Sequence, residues 1–305
     1  MMKKLSEGRK MFITVLVIFF AYAAFFIIFD DYDRHHFQLL DEVNDWNLLF
    51  FSIAVMAVLS LLLHRYSVRM DERISREQAE QQATLRRQLT QDIAHELKTP
   101  TTSIQGYLET LLEHPEIDEA QRKLFLERSL DQTQRLTAVL RDITTLQRMD
   151  DAPDVHVFEE VDVAQIVASI VREMTPQLAA RHMTFVNRLP DHITIQGNAT
   201  LLYGIFRNLT DNALSYAGTG TSITLTATNT IQHWHFTFRD NGHGVAPQHL
   251  PRLFERFYRV DKGRSRKLGG TGLGLAIVKN AVALHGGSIK VSNDHGLRFD
   301  FTLHK

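Results

Sequence analysis

Apolar residues are spread unevenly along the 305-residue chain. From Met11 to Phe29 they run almost unbroken, with Thr14 the clearly polar interruption. As a helix that stretch spans roughly 28 Å, close to the hydrocarbon thickness of a bilayer. A second apolar run covers about Asn47 to Leu63, with Trp46 and Tyr66 at its ends as interfacial anchors. Neither run has a polar face, so the pattern predicts two transmembrane helices, 11–29 and 47–63. Phe29 leads directly into acidic residues without a small-residue cleavage site, which argues against a removable signal peptide.

From His64 to about His114 the pattern becomes helical and charged. Residues 64–84 leave no room for a separate folded module and read as a signalling helix. Leu97, Thr101, Ile104, Leu108 and Leu111 then recur at spacings of three and four. His95 lies two positions before Leu97, roughly 200° round the helix, and should face solvent. Pro100 should kink or loosen the helix one turn later. After a break at Glu113–Glu116, a second helix is predicted from about Asp118 to Met149, with Leu126, Leu130, Leu136, Leu140 and Ile143 on one face. Such a hairpin buries little alone. Two copies would bury both stripes as a four-helix bundle, which points to a homodimer; ordinary packing within one chain is the alternative.

Asp150 to Asp154, with Pro153, reads as a linker. Beyond it helices are predicted at Val163–Ala180, Ala199–Tyr216 and Leu273–His285. Strands are predicted at Thr184–Arg188, Ile193–Gln196, Ile223–Thr228, Trp234–Arg239, Ser288–Ser292 and Arg298–Leu303, in antiparallel-looking pairs. This predicts a two-layer α/β sandwich over 151–305. The expected organisation is an N-terminus at 1–10, spans at 11–29 and 47–63 around a loop at 30–46, the signalling helix at 64–84, the hairpin at 85–150 and the sandwich at 151–305.

Charge adds orientation. Lys3, Lys4, Arg9 and Lys10 precede the first span, and Arg65 and Arg69 follow the second. The loop between carries Asp30, Asp31, Asp33, Asp41, Glu42 and Asp45. The positive-inside rule then places both ends in the cytoplasm, giving a multi-pass protein of the cytoplasmic (inner) membrane with its large soluble part inside. The acidic loop, with His35 and His36, either binds a cation or basic peptide or simply complements the basic flanks. Lys and Arg number 34 against 35 acids, so no direct nucleic-acid binding is expected. The chain has no cysteine, which excludes disulfides, thiolate metal sites and Cys nucleophiles.

Four clusters carry candidate chemistry. In Asp92-Ile-Ala-His95-Glu96-Leu-Lys-Thr99-Pro100, Glu96 can take a proton from one ring nitrogen while the other attacks phosphorus. Thr99, one turn on, can position a water for the reverse hydrolysis. Asn208 and Asn212 share one helix face, where neutral amide oxygens can complete the shell of a hydrated Mg²⁺ that holds phosphates. Asp240, beside Gly242 and Gly244, can accept from an exocyclic amine while backbone approaches the ring. Gly269-Gly-Thr-Gly-Leu-Gly274 opens a helix and suits phosphate. Arg259, Lys262, Arg264, Arg266 and Lys267 before it suit a phosphate-closing lid. A P-loop is excluded, since the glycine run lacks Gly-Lys-Ser/Thr.

Taken in order, these clusters resemble the sensor histidine kinases of two-component systems over about residues 85–305. His95 to Pro100 is similar to the phospho-acceptor motif, Asn208 to Tyr216 to the asparagine motif and Asp240 to Gly244 to the adenine-binding motif. Leu253 to Arg259 is similar to the phenylalanine motif and Gly270 to Leu275 to the last glycine motif. The resemblance implies a protein histidine kinase with a dimerising hairpin and an ATP-binding sandwich of the histidine kinase, gyrase and chaperone type. ATP and Mg²⁺ are the implied cofactors. His95 would be phosphorylated, Glu96 the base and Thr99 the phosphatase residue. Asn208 would bind Mg²⁺ and Asn212 phosphate. Tyr216 would pack on adenine, Asp240 would accept from its amino group beside Gly242 and Gly244, Tyr258 would line the ATP site, and Arg259 would reach the γ-phosphate. Gly270, Thr271, Gly272, Leu273 and Gly274 would back them. The phosphoryl group would pass to an aspartate of a response regulator receiver domain, with additional phosphatase activity. A predominantly phosphatase protein or a non-catalytic membrane adaptor is the alternative. A gyrase-like ATPase leaves the His95 hairpin unexplained. Ser215, Thr101 and Asn198 depart from the family pattern, which more often has Lys or Arg, Leu, and Asp.

Overall fold

The computed structural model describes Phe20 and residues 45–151, 157–261 and 270–305. Apart from Phe20, the first predicted span lies outside the described residues, as do residues 30–44 of the loop, 152–156 of the linker and 262–269 of the basic segment. The chain divides into two units, Met1–Gln88 and Leu89–Lys305.

Helix α1 runs Asp45–Glu113. In the first unit, Ser52–Glu77 is long and apolar enough to cross a membrane by length and composition. Ile53, Val55, Val58, Leu59, Leu61 and Leu62 all stand exposed there. That is one candidate span among the described residues, against the two predicted. It overlaps the second predicted span, 47–63, on a helix that continues past the first charges.

In the second unit α1 continues to Glu113, and α2 (Glu119–Asp151) returns as the other arm of a hairpin. Tyr107 stacks on Phe125 across it at 5.7 Å. Asp118 accepts from the amide of Gln121 at the start of α2. Pro100 does not end α1. Its missing N–H deprives the Glu96 carbonyl of a helix donor. The hydroxyls of Thr99, Thr101 and Ser103 bond back to the carbonyls of His95, Leu97 and Thr99 around it.

The rest is a two-layer sandwich. It comprises β1 (Glu159–Asp162), α3 (Val163–Ala180), β2 (Thr184–Arg188), β3 (Thr194–Gly197), α4 (Ala199–Tyr216), β4 (Ser222–Asn229), β5 (His233–Asp240), α5 (Gly274–Leu284), β6 (Ile289–Asn293) and β7 (Leu297–His304). A short 3₁₀ turn spans Pro247–Arg252. The main sheet has the order β2-β4-β5-β7-β6. On β5 and β7 buried and half-buried residues alternate strictly, so Trp234, Phe236, Phe238, Phe299 and Phe301 all face the helices.

Three features differ from the expectation. β2 pairs with β4 in parallel, because β3 and α4 lie between them and carry the chain back so that β4 starts at the same end as β2. The strand β1 carries three acids in four residues and has no apolar alternation to announce it; it pairs with β3 and buries only Val161. The stripe predicted on α2 is divided. Val139, Ile143, Leu146 and Met149 join the sandwich core, while Leu126, Leu130 and Leu140 stay exposed.

Candidate functional site

His95 stands exposed on α1, as its position relative to Leu97 requires. Its ring makes no hydrogen bond among the described residues. Glu96 is not on that ring. Its Oε2 takes a guanidinium N–H from Arg259 at 3.0 Å and from Arg135 of α2 at 3.4 Å. Thr99, half-buried one turn on, spends its hydroxyl on the His95 carbonyl at 3.2 Å.

The polar edge that the sequence suggested for nucleotide is built around α4. Asn198 caps it by accepting from the amide of Leu201, so the Asn found there in place of Asp keeps a capping role. Leu201, Leu202, Ile205, Phe206, Leu209 and Ala213 bury one face. Asn208, Asn212 and Tyr216 recur every four residues along a half-buried edge. The Asn208 amide is oriented. Its Nδ2 donates to the Gly204 carbonyl, and its Oδ1 lies where a Cβ on Gly274 would come within 2.6 Å. Only glycine at 274 leaves that oxygen room.

Asp240 ends β5 and is buried. Its Oδ1 accepts from the amides of Gly242 at 2.9 Å and Leu297 at 3.2 Å. Oδ2 has no partner among the described residues and can accept from a donor. Gly242 passes so close to the end of α4 that a Cβ would meet the Ala217 carbonyl at 2.5 Å. Gly244 has φ of 64°.

Between β5 and α5, Phe257 has φ of 60° and donates its amide to the carbonyl of Gly272, itself at φ 75°. Arg259 also donates to the Thr271 carbonyl at 2.7 Å, and Thr271 Oγ1 accepts from the Leu273 amide. Gly270 opens this turn. Tyr258 has partners of its own. Its hydroxyl bonds to His249 Nδ1 at 2.6 Å, and its ring lies 4.2 Å beneath the Arg252 guanidinium, so its polar atom is committed away from the glycine turn.

The hairpin meets this turn directly, through acids on α2 to which the sequence assigned no role. Thr271 Oγ1 donates to Asp142 of α2 at 2.7 Å, and Arg256 and Asn280 both reach Asp150. Burial pushes the Asp142 carboxyl up from its ordinary value, with the nearby Asp211 charge adding to this and the Thr271 hydroxyl opposing it. Burial likewise raises Asp211, against its ion pair with Arg207 at 3.0 Å. These acids carried no signal in the chain, because their meaning depends on which helix faces the turn.

Two family models match the chain. Residues 85–152 match the His Kinase A (phospho-acceptor) domain, and residues 197–305 match the histidine kinase-, DNA gyrase B- and HSP90-like ATPase. The sensor-like histidine kinase SenX3 of Mycolicibacterium smegmatis is 34% identical over 227 residues. The chain belongs to the sensor histidine kinases of two-component systems. The SenX3 match covers 74% of this chain and 59% of that protein. The phosphate regulon sensor protein PhoR of Pseudomonas aeruginosa is 34% identical over 72% of this chain and 50% of its own length. The chain thus spans between half and three-fifths of these curated relatives. Among solved structures, histidine kinase ThkA in complex with response regulator protein TrrA superposes with a TM-score of 0.61 at 18% identity, over 74% of this chain and 64% of that one. That likeness is one of fold.

Proposed function

We propose that this sensor kinase transfers the γ-phosphoryl group of ATP to His95 and then to an aspartate of a response regulator. The observation that carries this is the direct seat of the nucleotide cradle on the His95 hairpin, with Glu96 bonded to Arg259 and Asp142 to Thr271. That the neighbour of His95 reaches Arg259, which in turn bonds the Thr271 carbonyl, supports delivery of phosphate from the glycine turn to the hairpin.

One imidazole nitrogen attacks the γ-phosphorus, the bond to the β-bridging oxygen breaks, and ADP leaves with its electron pair. The proton on the other nitrogen goes to Glu96. Asp240 Oδ2 accepts from the adenine amine, and Tyr216 packs on the ring. Asn208 Oδ1, beside Gly274 at the start of α5, would join a Mg²⁺ shell, and Asn212 lies on the same edge of α4. The ion neutralises phosphate charge when bound. Gly270 to Gly274 and the start of α5 receive the phosphates. The exposed Leu108, Leu112, Leu126, Leu130 and Leu140 support a homodimer. The apolar Ser52–Glu77 segment, together with the apolar run at 11–29, supports a multi-pass anchor in the cytoplasmic membrane. ThkA, solved with its regulator, supports a receiver domain as partner. Thr99 beside His95 supports hydrolysis of the regulator's phosphoaspartate as a second activity.

Incubation with γ-labelled ATP tests the reading. The label should be acid-labile and alkali-stable and should vanish in His95→Gln. Label that persists in that variant overturns it. Loss of regulator dephosphorylation in Thr99→Ala, with labelling kept, would establish the second activity.

A further inference from the structure

In this structure neither member of the Glu96–Arg259 pair occupies the place its role requires. A base belongs on His95, and a phosphate-binding arginine belongs on the nucleotide. Both are instead spent on each other at 3.0 Å. The Arg259 side chain is only 4% exposed. Its Nη2 is used twice, by Glu96 and by the Thr271 carbonyl, while its Nε is buried with no acceptor among the described residues. A buried guanidinium N–H without a partner is costly, so the site holds spare capacity for an anion. That Nε lies against Gly272, where a Cβ would approach it to 3.1 Å. The unused donor therefore borders the glycine turn assigned to phosphate.

Arg135 holds the same Glu96 oxygen at 3.4 Å and is 8% exposed. It differs from Arg259 in where it is anchored. Arg135 stands on the hairpin with His95, and Arg259 on the nucleotide domain.

We propose that Arg259 is a nucleotide-sensitive restraint on the base. Without nucleotide it keeps Glu96 from His95, and a bound γ-phosphate draws it off, leaving Arg135 to position Glu96 beside the imidazole. A γ-phosphate carries more negative charge than a carboxylate and offers more acceptor oxygens, so it wins the guanidinium. Arg135 is then a positioning residue. The inference rests on the kinase reading above and adds a competition that the reading does not need.

Reciprocity gives one test, read by binding alone. In the full chain in lipid nanodiscs, Glu96→Gln removes the competing charge but keeps the side chain's size. The ratio of affinities for AMPPNP with Mg²⁺ over ADP with Mg²⁺ should rise several-fold, because only AMPPNP has a γ-phosphate. An unchanged ratio overturns the proposal. A second arm uses phosphoramidate, which needs no nucleotide site. Its P–N bond breaks to release ammonia as an imidazole nitrogen bonds to phosphorus, and the imidazole proton leaves through Glu96. Labelling of His95 should be several-fold faster in Arg259→Gln. Adding Arg135→Ala should reverse that gain, and Arg135→Lys in its place should restore part of it. Labelling no faster in Arg259→Gln overturns the restraint. If Arg259→Gln does not fold, the affinity arm stands alone. Failure of wild-type ATP labelling would sink the kinase reading without altering either comparison.

Discussion

At Asp240 the two carboxylate oxygens have separate duties. Oδ1 is consumed by two backbone amides, which fixes the turn after β5, and Oδ2 is left for a ligand. Asp240→Asn keeps an acceptor for the amides but puts an NH₂ where the adenine amine must donate. It should therefore fold with nearly unchanged thermal midpoint and bind ATP on the order of 10–100-fold more weakly, read by calorimetric titration. A midpoint that falls as far as the affinity would mean the residue is structural only. Gly274 makes the complementary case. Gly274→Ala places a methyl 2.6 Å from Asn208 Oδ1, so it should lower Mg²⁺-dependent nucleotide affinity more than it lowers stability. Equal ADP binding with and without Mg²⁺ in both proteins would count against Asn208 as the ligand. The glycines and Asp240 were legible as a motif in the chain. Which oxygen stays free was not, since it depends on Leu297, 57 residues away.

On α2 the element carries two apolar stripes with different partners. Val139, Ile143, Leu146 and Met149 pack into the sandwich core, and Leu126, Leu130 and Leu140 face outward. Helical spacing alone merged Ile143 with the outward set, because periodicity reports that a residue faces something apolar and not which element that is. The two stripes should separate experimentally. Leu130→Arg should convert a dimer to monomer in sedimentation while the thermal midpoint of the nucleotide domain holds. Ile143→Ala should cost about 2–4 kcal/mol and leave the dimer intact. A Leu130→Arg protein that stays dimeric would show that another face pairs. The helix at Pro100 illustrates the opposite limit. The sequence pointed to a kink or loosening there, and α1 continues through it, with hydroxyls back-bonding to the His95, Leu97 and Thr99 carbonyls on either side.

For the whole second unit, the seat of the nucleotide domain on the hairpin couples to pH through Asp142. Its carboxyl is raised above the ordinary aspartate value of 3.8, by burial first. A raised folded-state value means that the docked form holds the proton more tightly than the unfolded chain. Its contribution is fully present below 3.8 and is lost as pH rises through the raised value. Asp142→Asn keeps an acceptor for Thr271 without the charge. Its thermal midpoint should exceed that of wild type at neutral pH by roughly a few degrees, and the gap should close on acidification. A gap independent of pH would assign the effect to packing. The chain by itself determined most of the elements, the order of the polar motifs and the exposure of His95, because periodicity, turn chemistry and short motifs are local. Only the tertiary structure decided that β2 pairs in parallel, that α2 is shared between two cores, and that Glu96 rests between Arg135 and Arg259 rather than on His95. Those outcomes join residues 39 and 163 positions apart, and no local pattern states which distant charge a carboxylate will meet.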